Sequence, residues 1–263
     1  VFGIISHLYI SLVYQGQLVI FDLDHYNLFM KIDIGNKTKL VNAVFSEVYK
    51  KYDFMNDLMS LGIHRIWKKN MIDWMNPGEN NLLIDVASGT GDLAKIYSKK
   101  TNSNSEIVCV EPNEDMLAFG KKKLKSYKNI SWKKASAEKL PFKDETFDFY
   151  TISYGIRNVS NINLCLEEAY RVLKVGGRFM CLEFSKAENE IIGEIYKQYS
   201  KIIPVIGKYV VGSSEPYEYL VKSIKKFYTQ EELLKLMIQS KFSNVEFRNL
   251  SNGISAIHSG WKI

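Results

Sequence analysis

The segment that most limits what this chain can fold into is Leu82-Leu83-Ile84-Asp85-Val86, followed at once by Gly89-Thr90-Gly91 and then by a helical stretch from Asp92. A strand-length run that is apolar without alternation is buried on both faces, as in a parallel sheet covered by helices. Parallel neighbours need crossovers, and the chain supplies them repeatedly. Ile107–Val110 ends on Glu111, and Asn113 is placed to cap a helix over 114–125. Ile130–Lys133 and Phe147–Ser153 read as further strands, the latter entered through the turn Pro141-Phe142-Lys143-Asp144. A helix over 162–173 stops at Gly176-Gly177, and a fifth strand is expected over 179–184. Thr229 and Glu232 form a capping box for a helix reaching about Ser240. Two closing strands, 245–249 and 254–258, flank the turn Ser251-Asn252-Gly253. The expectation is a doubly wound α/β sheet with an antiparallel edge.

Upstream, Val41, Val44, Phe45, Val48 and Tyr49, then Ile63, Ile66, Trp67, Met71 and Trp74, recur at helical spacing before the stop signal Pro77-Gly78. Residues 1–30 differ: they hold no Lys or Arg, and their only charges are Asp22 and Asp24. They lack the positive n-region of a signal peptide, and Ser6, His7, Ser11, Gln15 and Gln17 break the apolar stretch. The reading is that Met30 is the natural start and that 1–34 is upstream sequence or a poorly structured extension. An ordinary strand pair is the alternative. Residues 35–263 form one domain.

Composition closes off several classes. Cys109, Cys165 and Cys181 are far apart, no CxxC occurs, and the four histidines are scattered, so neither a disulfide framework nor a metal site is expected. The net charge of +6 comes without a basic cluster interleaved with aromatics, and nucleic acid is not an expected partner.

The Gly89-Thr90-Gly91 loop admits two cofactors. Gly89, Gly91 and Ala94, with Glu111 about twenty residues on, satisfy the loose dinucleotide fingerprint. A dinucleotide would bring a pyrophosphate to this loop, next to Asp85 and Asp92, whereas S-adenosylmethionine brings an ammonium and a sulfonium. On that ground the charges favour S-adenosylmethionine. Glu111, at a strand tip, suits the ribose hydroxyls of either cofactor. Ser136-Ala137 are small enough for an adenine edge to meet backbone, and Ser153 ends a strand at the crevice.

Three stretches then carry a specific resemblance. Tyr52-Asp53-Phe54-Met55-Asn56-Asp57-Leu58-Met59-Ser60-Leu61-Gly62-Ile63-His64-Arg65-Ile66-Trp67, Arg171 through Ser185, and Ile152-Ser153-Tyr154-Gly155-Ile156-Arg157-Asn158 resemble the signatures of the ubiquinone/menaquinone C-methyltransferases. The resemblance covers about 35–263, with Ser88, Glu111 and Ser136 standing where that family usually has Gly, Asp and Asn. It implies a seven-stranded Rossmann-like class I methyltransferase fold with an N-terminal helical lid. It also implies S-adenosylmethionine as cofactor, contacted by Thr90, Glu111, Ser136, Ala137 and Ser153, to which the reading of the loop itself adds Asp85, Gly89 and Gly91.

The implied substrate is a polyprenylated quinol methylated at a ring carbon, with Arg157 and Asn158 as catalytic candidates and Tyr52, Asp53, Asn56 and His64 on the substrate side. His64, titrating near neutrality, is a candidate base. Six lysines against two glutamates over 195–228 suggest peripheral contact with the cytoplasmic face of the inner membrane. The resemblance leaves room for a complex of quinone-synthesis enzymes and for a homodimer. Three other readings stay open on residues alone: a methyltransferase for another substrate, a non-catalytic scaffold, and a nicotinamide oxidoreductase.

Overall fold

The computed structural model describes residues 59–211 and 215–263, the strands 9–14 and 17–22, and positions 39, 41, 46, 56 and 57. The candidates Tyr52 and Asp53, and most of the expected N-terminal lid, lie outside the described residues. Strands β1 (Tyr9–Tyr14) and β2 (Gln17–Asp22) pair antiparallel as a separate two-stranded sheet.

Helix α1 (His64–Met75) turns Trp67, Met71, Ile72 and Met75 inward, one stripe at three- and four-residue spacing. It ends where Asn76 adopts a left-handed conformation and its N–H returns to the Ile72 carbonyl. From there strands and helices alternate: β3 (Leu83–Val86), α2 (Asp92–Lys100), β4 (Ile107–Val110), α3 (Glu114–Lys123), β5 (Ile130–Lys133) and β6 (Phe147–Ser153). A short 3-10 turn (Ile156–Asn158) leads to α4 (Ile162–Val172) and β7 (Leu173–Phe184). Helices α5 (Glu190–Val211), α6 (Glu215–Lys226) and α7 (Gln230–Gln239) precede β8 (Ser243–Leu250) and β9 (Ser255–Trp261). Asn113 caps α3 by accepting the Met116 N–H, and the Thr229–Glu232 capping box opens α7, both as the sequence indicates.

The seven strands run β5-β4-β3-β6-β7-β9-β8. Five are parallel, and β9 opposes its neighbours β7 and β8. Alternate residues of one strand feed two cores. Met180, Leu182 and Phe184 face the layer with α1 and α2, while Phe179 and Cys181 face the layer with α4 and α7. The order reverses between β3 and β6, so the carboxyl ends of β3, β4, β6 and β7 open onto one crevice.

Three boundaries differ from expectation. β7 begins at Leu173 and passes through both glycines, because Gly176 N–H donates to the Lys262 carbonyl and Lys262 N–H to that of Gly177. β8 spans Ser243–Leu250 rather than 245–249, and the lysine-rich stretch 195–228 falls mainly on the helix pair α5 and α6. β9 extends to Trp261.

Candidate active site

The crevice is built around the loop after β3. Ala87 and Gly89 both have positive φ (51° and 58°), so the chain turns tightly as it leaves the sheet. Gly89 donates its N–H to Glu111 Oε2 at 2.8 Å, and Asn113 donates to Oε1 at 3.0 Å, locking the carboxylate at the end of β4. Burial pushes the Glu111 carboxyl up to about 7, with those two N–H groups opposing it. Gly89, Glu111, Ser136, Ala137, Tyr154 and Asn158 line one cavity, which Pro112, Met116 and Val41 also border. Ser46 accepts a hydrogen bond from Asn113 Nδ2 at 3.0 Å, so described residues of the N-terminal segment stand beside it.

A second, smaller and more polar recess adjoins the first through Ala87. It holds Lys68, Asp85, Thr90, Asp92 and Ser153. Thr151 Oγ1 donates to Asp85 Oδ1 at 2.8 Å, while burial pushes the Asp85 carboxyl up to about 7. The atoms Asp85 Oδ2 and Ser153 Oγ are buried without a hydrogen-bond partner. Such groups suit a polar ligand that supplies what the protein does not. Two linked compartments, one with a ribose-type carboxylate beside small residues and one polar, fit S-adenosylmethionine. Its adenosine matches the first and its amino-acid end the second.

Two expectations need correction. Asp92 is not a free anion facing the loop. Burial would raise its pKa, but Lys68 Nζ (3.4 Å) and Lys123 Nζ (2.7 Å) hold its carboxyl well below the usual range. Asp85, pushed toward neutrality, presents less than a full charge. A pyrophosphate at this loop would therefore meet carboxylates whose charge the fold largely offsets. His64 does not titrate near neutrality either. Burial and then Lys68 push its pKa down to about 4, leaving it a neutral, weak base. Its Nδ1 sits 2.9 Å from Ser60 Oγ and 3.6 Å from Asp57 Oδ1.

Of the other candidates, Gly91 (φ 83°) does not border the cavities. A Cβ there would lie 2.6 Å from Leu124 Cδ1 and 3.0 Å from Trp132, so the glycine makes room for packing rather than for a ligand. Asn56 is buried, its carbonyl accepting from Ser60 Oγ, and borders neither cavity. Thr90 accepts from Lys123 Nζ at 2.9 Å. Arg157 and Asn158, in the 3-10 turn after β6, part company. Asn158 borders the larger cavity, and its Oδ1 accepts from Tyr219 Oη at 3.0 Å. Arg157 turns behind that wall. Its Nη1 donates to Glu183 Oε1 at 2.5 Å and to the Tyr154 carbonyl at 2.9 Å, both charged side chains being 2% exposed.

Sequence reasoning missed three residues here: Lys68, Glu183 and Tyr219. Glu183 was the findable one, a carboxylate at the crevice end of the fifth parallel strand. Tyr219, on α6, left no signal without knowing that α6 packs over the 3-10 turn.

The model of the ubiE/COQ5 methyltransferase family matches residues 32–262, the whole of the sheet and both cavities included. The chain belongs to that family. Among similar proteins, the ubiquinone/menaquinone biosynthesis C-methyltransferase UbiE of Rickettsia akari is 49% identical over 242 residues, 89% of this chain and 97% of that protein. The Brucella anthropi enzyme of the same name is 44% identical over 247 residues, 92% and 94%. Among solved structures, a SAM-dependent methyltransferase of Thermotoga maritima superposes with a TM-score of 0.60 at 20% identity, covering 84% of this chain and all but 1% of its own. Haemonchus contortus phosphoethanolamine N-methyltransferase 2, solved with S-adenosyl-L-methionine, gives 0.57 at 12% identity, covering 74% of this chain and 52% of that one. At those identities the structures speak for the fold alone. As a ubiE/COQ5 family member the chain is an S-adenosylmethionine-dependent methyltransferase.

Proposed function

We propose that this family member methylates a ring carbon of a polyprenylated quinol, 2-methoxy-6-polyprenyl-1,4-benzoquinol or demethylmenaquinol or both, in ubiquinone or menaquinone biosynthesis. The observation carrying this reading is the match to enzymes named for that reaction over nine-tenths of the chain. When bound, S-adenosylmethionine supplies an electrophilic methyl group. Glu111, backed by Gly89 and Asn113, takes the ribose hydroxyls, and Ser136-Ala137 the adenine edge. Thr90, Asp85 and Ser153 serve the amino-acid end.

On the quinol side, a ring carbon becomes nucleophilic as the adjacent hydroxyl loses its proton, so the protein must orient that oxygen and stabilise its charge. Asn158 is the group to face it. Tyr219 Oη donates to Asn158 Oδ1, while its Nδ2 lies 3.4 Å from the Tyr154 carbonyl. Arg157 acts from behind as a fixed cation, held by Glu183. A membrane origin for the quinol is supported by exposed apolar residues in two segments. Leu61 stands just before α1 and Ile66 on it, Ile191 and Ile195 lie on α5, and Tyr196 Oη donates to the Met59 carbonyl between them. The described residues contain no helix long and apolar enough to cross a bilayer, so the contact proposed is peripheral, at the cytoplasmic face.

The test is turnover of S-adenosylmethionine with short-chain demethylbenzoquinol and demethylnaphthoquinol, products read by mass. Quinone extracts of a methyltransferase-deficient host carrying this gene give the answer in a cell. Methylation of neither quinol sinks the proposal.

A further inference from the structure

We infer that Lys68 is the counter-ion for the α-carboxylate of S-adenosylmethionine and selects for ligands that carry it. The inference goes beyond the proposed quinol chemistry and depends only on the methyl donor occupying the crevice.

Lys68 projects from α1 into the polar recess, its side chain 8% exposed. A lysine so nearly removed from water requires a close counter-charge. Among the described residues its ion-pair partner is Asp92, whose Oδ2 is 3.4 Å from Lys68 Nζ, at the outer limit of a hydrogen bond, while Lys123 Nζ is only 2.7 Å from Oδ1. The remaining carboxylate of the recess, Asp85, is buried and carries less than a full charge near neutral pH. Lys68 Nζ carries three N–H donors, and the Asp92 contact at 3.4 Å engages one of them weakly.

The same recess holds Asp85 Oδ2 and Ser153 Oγ, both buried without a hydrogen-bond partner. An amino acid answers all three needs at once. Its carboxylate supplies a closer anion for Lys68, and its ammonium supplies donors to Asp85 and Ser153. A second explanation is that Lys68 merely ties α1 to α2. That would make it matter equally for every ligand of the crevice.

The two explanations separate by calorimetry on the full chain with S-adenosylmethionine and with decarboxylated S-adenosylmethionine, which keeps the adenosine, sulfonium and ammonium but has no carboxylate. The wild-type protein should bind the carboxylate-bearing ligand about 10- to 100-fold more tightly, the range of one charge-assisted hydrogen bond. Lys68→Met should lose that preference, weakening S-adenosylmethionine while leaving the decarboxylated ligand within about 2-fold. Lys68→Arg, which keeps the charge, should retain most of it. Glu111→Ala, on the ribose side, should weaken both ligands together. Equal losses for the two ligands in Lys68→Met, or no change in either, would overturn the assignment. A wild type without preference overturns it too, and that arm needs no variant to fold. A wild type that binds neither ligand would instead remove the donor site itself from this crevice.

Discussion

The buried pair Arg157–Glu183 sets a trap for anyone testing catalysis by truncation. Removing Arg157 deletes a cation at the crevice wall and also strands Glu183, a carboxylate 2% exposed with no water to turn to. Burial already pushes the Glu183 pKa up, and Arg157 is the main group opposing that rise. Breaking a buried pair on one side costs about 3–5 kcal/mol. For a domain of this size each kcal/mol moves Tm by about 2–4 °C, so Arg157→Ala should melt roughly 6–20 °C lower than wild type. Arg157→Met with Glu183→Leu removes both charges and should recover most of that loss, because neither desolvated ion remains. Turnover should not recover with it. The assay is a thermodynamic cycle of the two single variants and the double, with Tm by calorimetry and kcat with a short-chain quinol on each protein. If the double variant is as unstable as the sum of the singles, the pair is not coupled as its geometry implies. If the double variant regains wild-type kcat, Arg157 has no part in the chemistry beyond holding the fold.

Glu111→Ala should raise the Kd for S-adenosylmethionine at least about tenfold through lost charge-assisted hydrogen bonds, and titration calorimetry on the folded variant checks it. Gly89→Val should abolish cofactor binding with the sheet intact, since a branched residue is strained at φ 58° and projects at the cavity; normal binding would place the cofactor elsewhere. Asp85 gives a pH test. Its folded pKa, raised to about 7, exceeds the unfolded value of about 3.8, so its stabilising contribution is full below pH ~4 and disappears as pH rises through 7. Asp85→Asn should therefore match wild type in Tm at acid pH and exceed it at pH 8, by the equivalent of about 4 kcal/mol at most; parallel Tm curves across that range would contradict the burial cost. Tyr219→Phe should lower kcat while leaving cofactor Kd unchanged, because the tyrosine itself borders neither compartment assigned to the donor and reaches the site only through Asn158.

The legible parts of this fold were those where one signal sufficed. β4, β5 and β6 fall on the residues read from sequence, since each is a short apolar or alternating run between turn residues. The loop after β3, Glu111 and Ser136-Ala137 come together because all follow parallel strands that end on the same edge. What sequence concealed was charge compensation across long separations. Asp92 lies 24 residues from Lys68 and 31 from Lys123, and nothing local marks either lysine as its partner. Gly91 misled for the opposite reason. Its motif position suggested a ligand, while its missing side chain serves Leu124 and Trp132 from the neighbouring βα unit. Glycines at 176 and 177 looked like a break, yet their backbone groups still pair with the end of β9's chain.

The tie between Tyr219 and Asn158 joins two parts of the chain with different duties. Apart from Lys68 on α1, everything assigned to the methyl donor hangs from strand ends and the loops that follow them, whereas α5 and α6 form one insert between β7 and α7 that reaches the crevice from above. The donor half is anchored by the sheet and cannot vary without disturbing the core. The insert sinks Ile203, Tyr217 and Leu220 into the core layer that holds α1, and its polar ties include Tyr196 on Met59 and Tyr219 on Asn158. A change in the insert that keeps those three core residues can therefore alter the face shown to the acceptor while the donor half stays unchanged. In such a chain the insert is the adjustable tool head and the sheet is the handle.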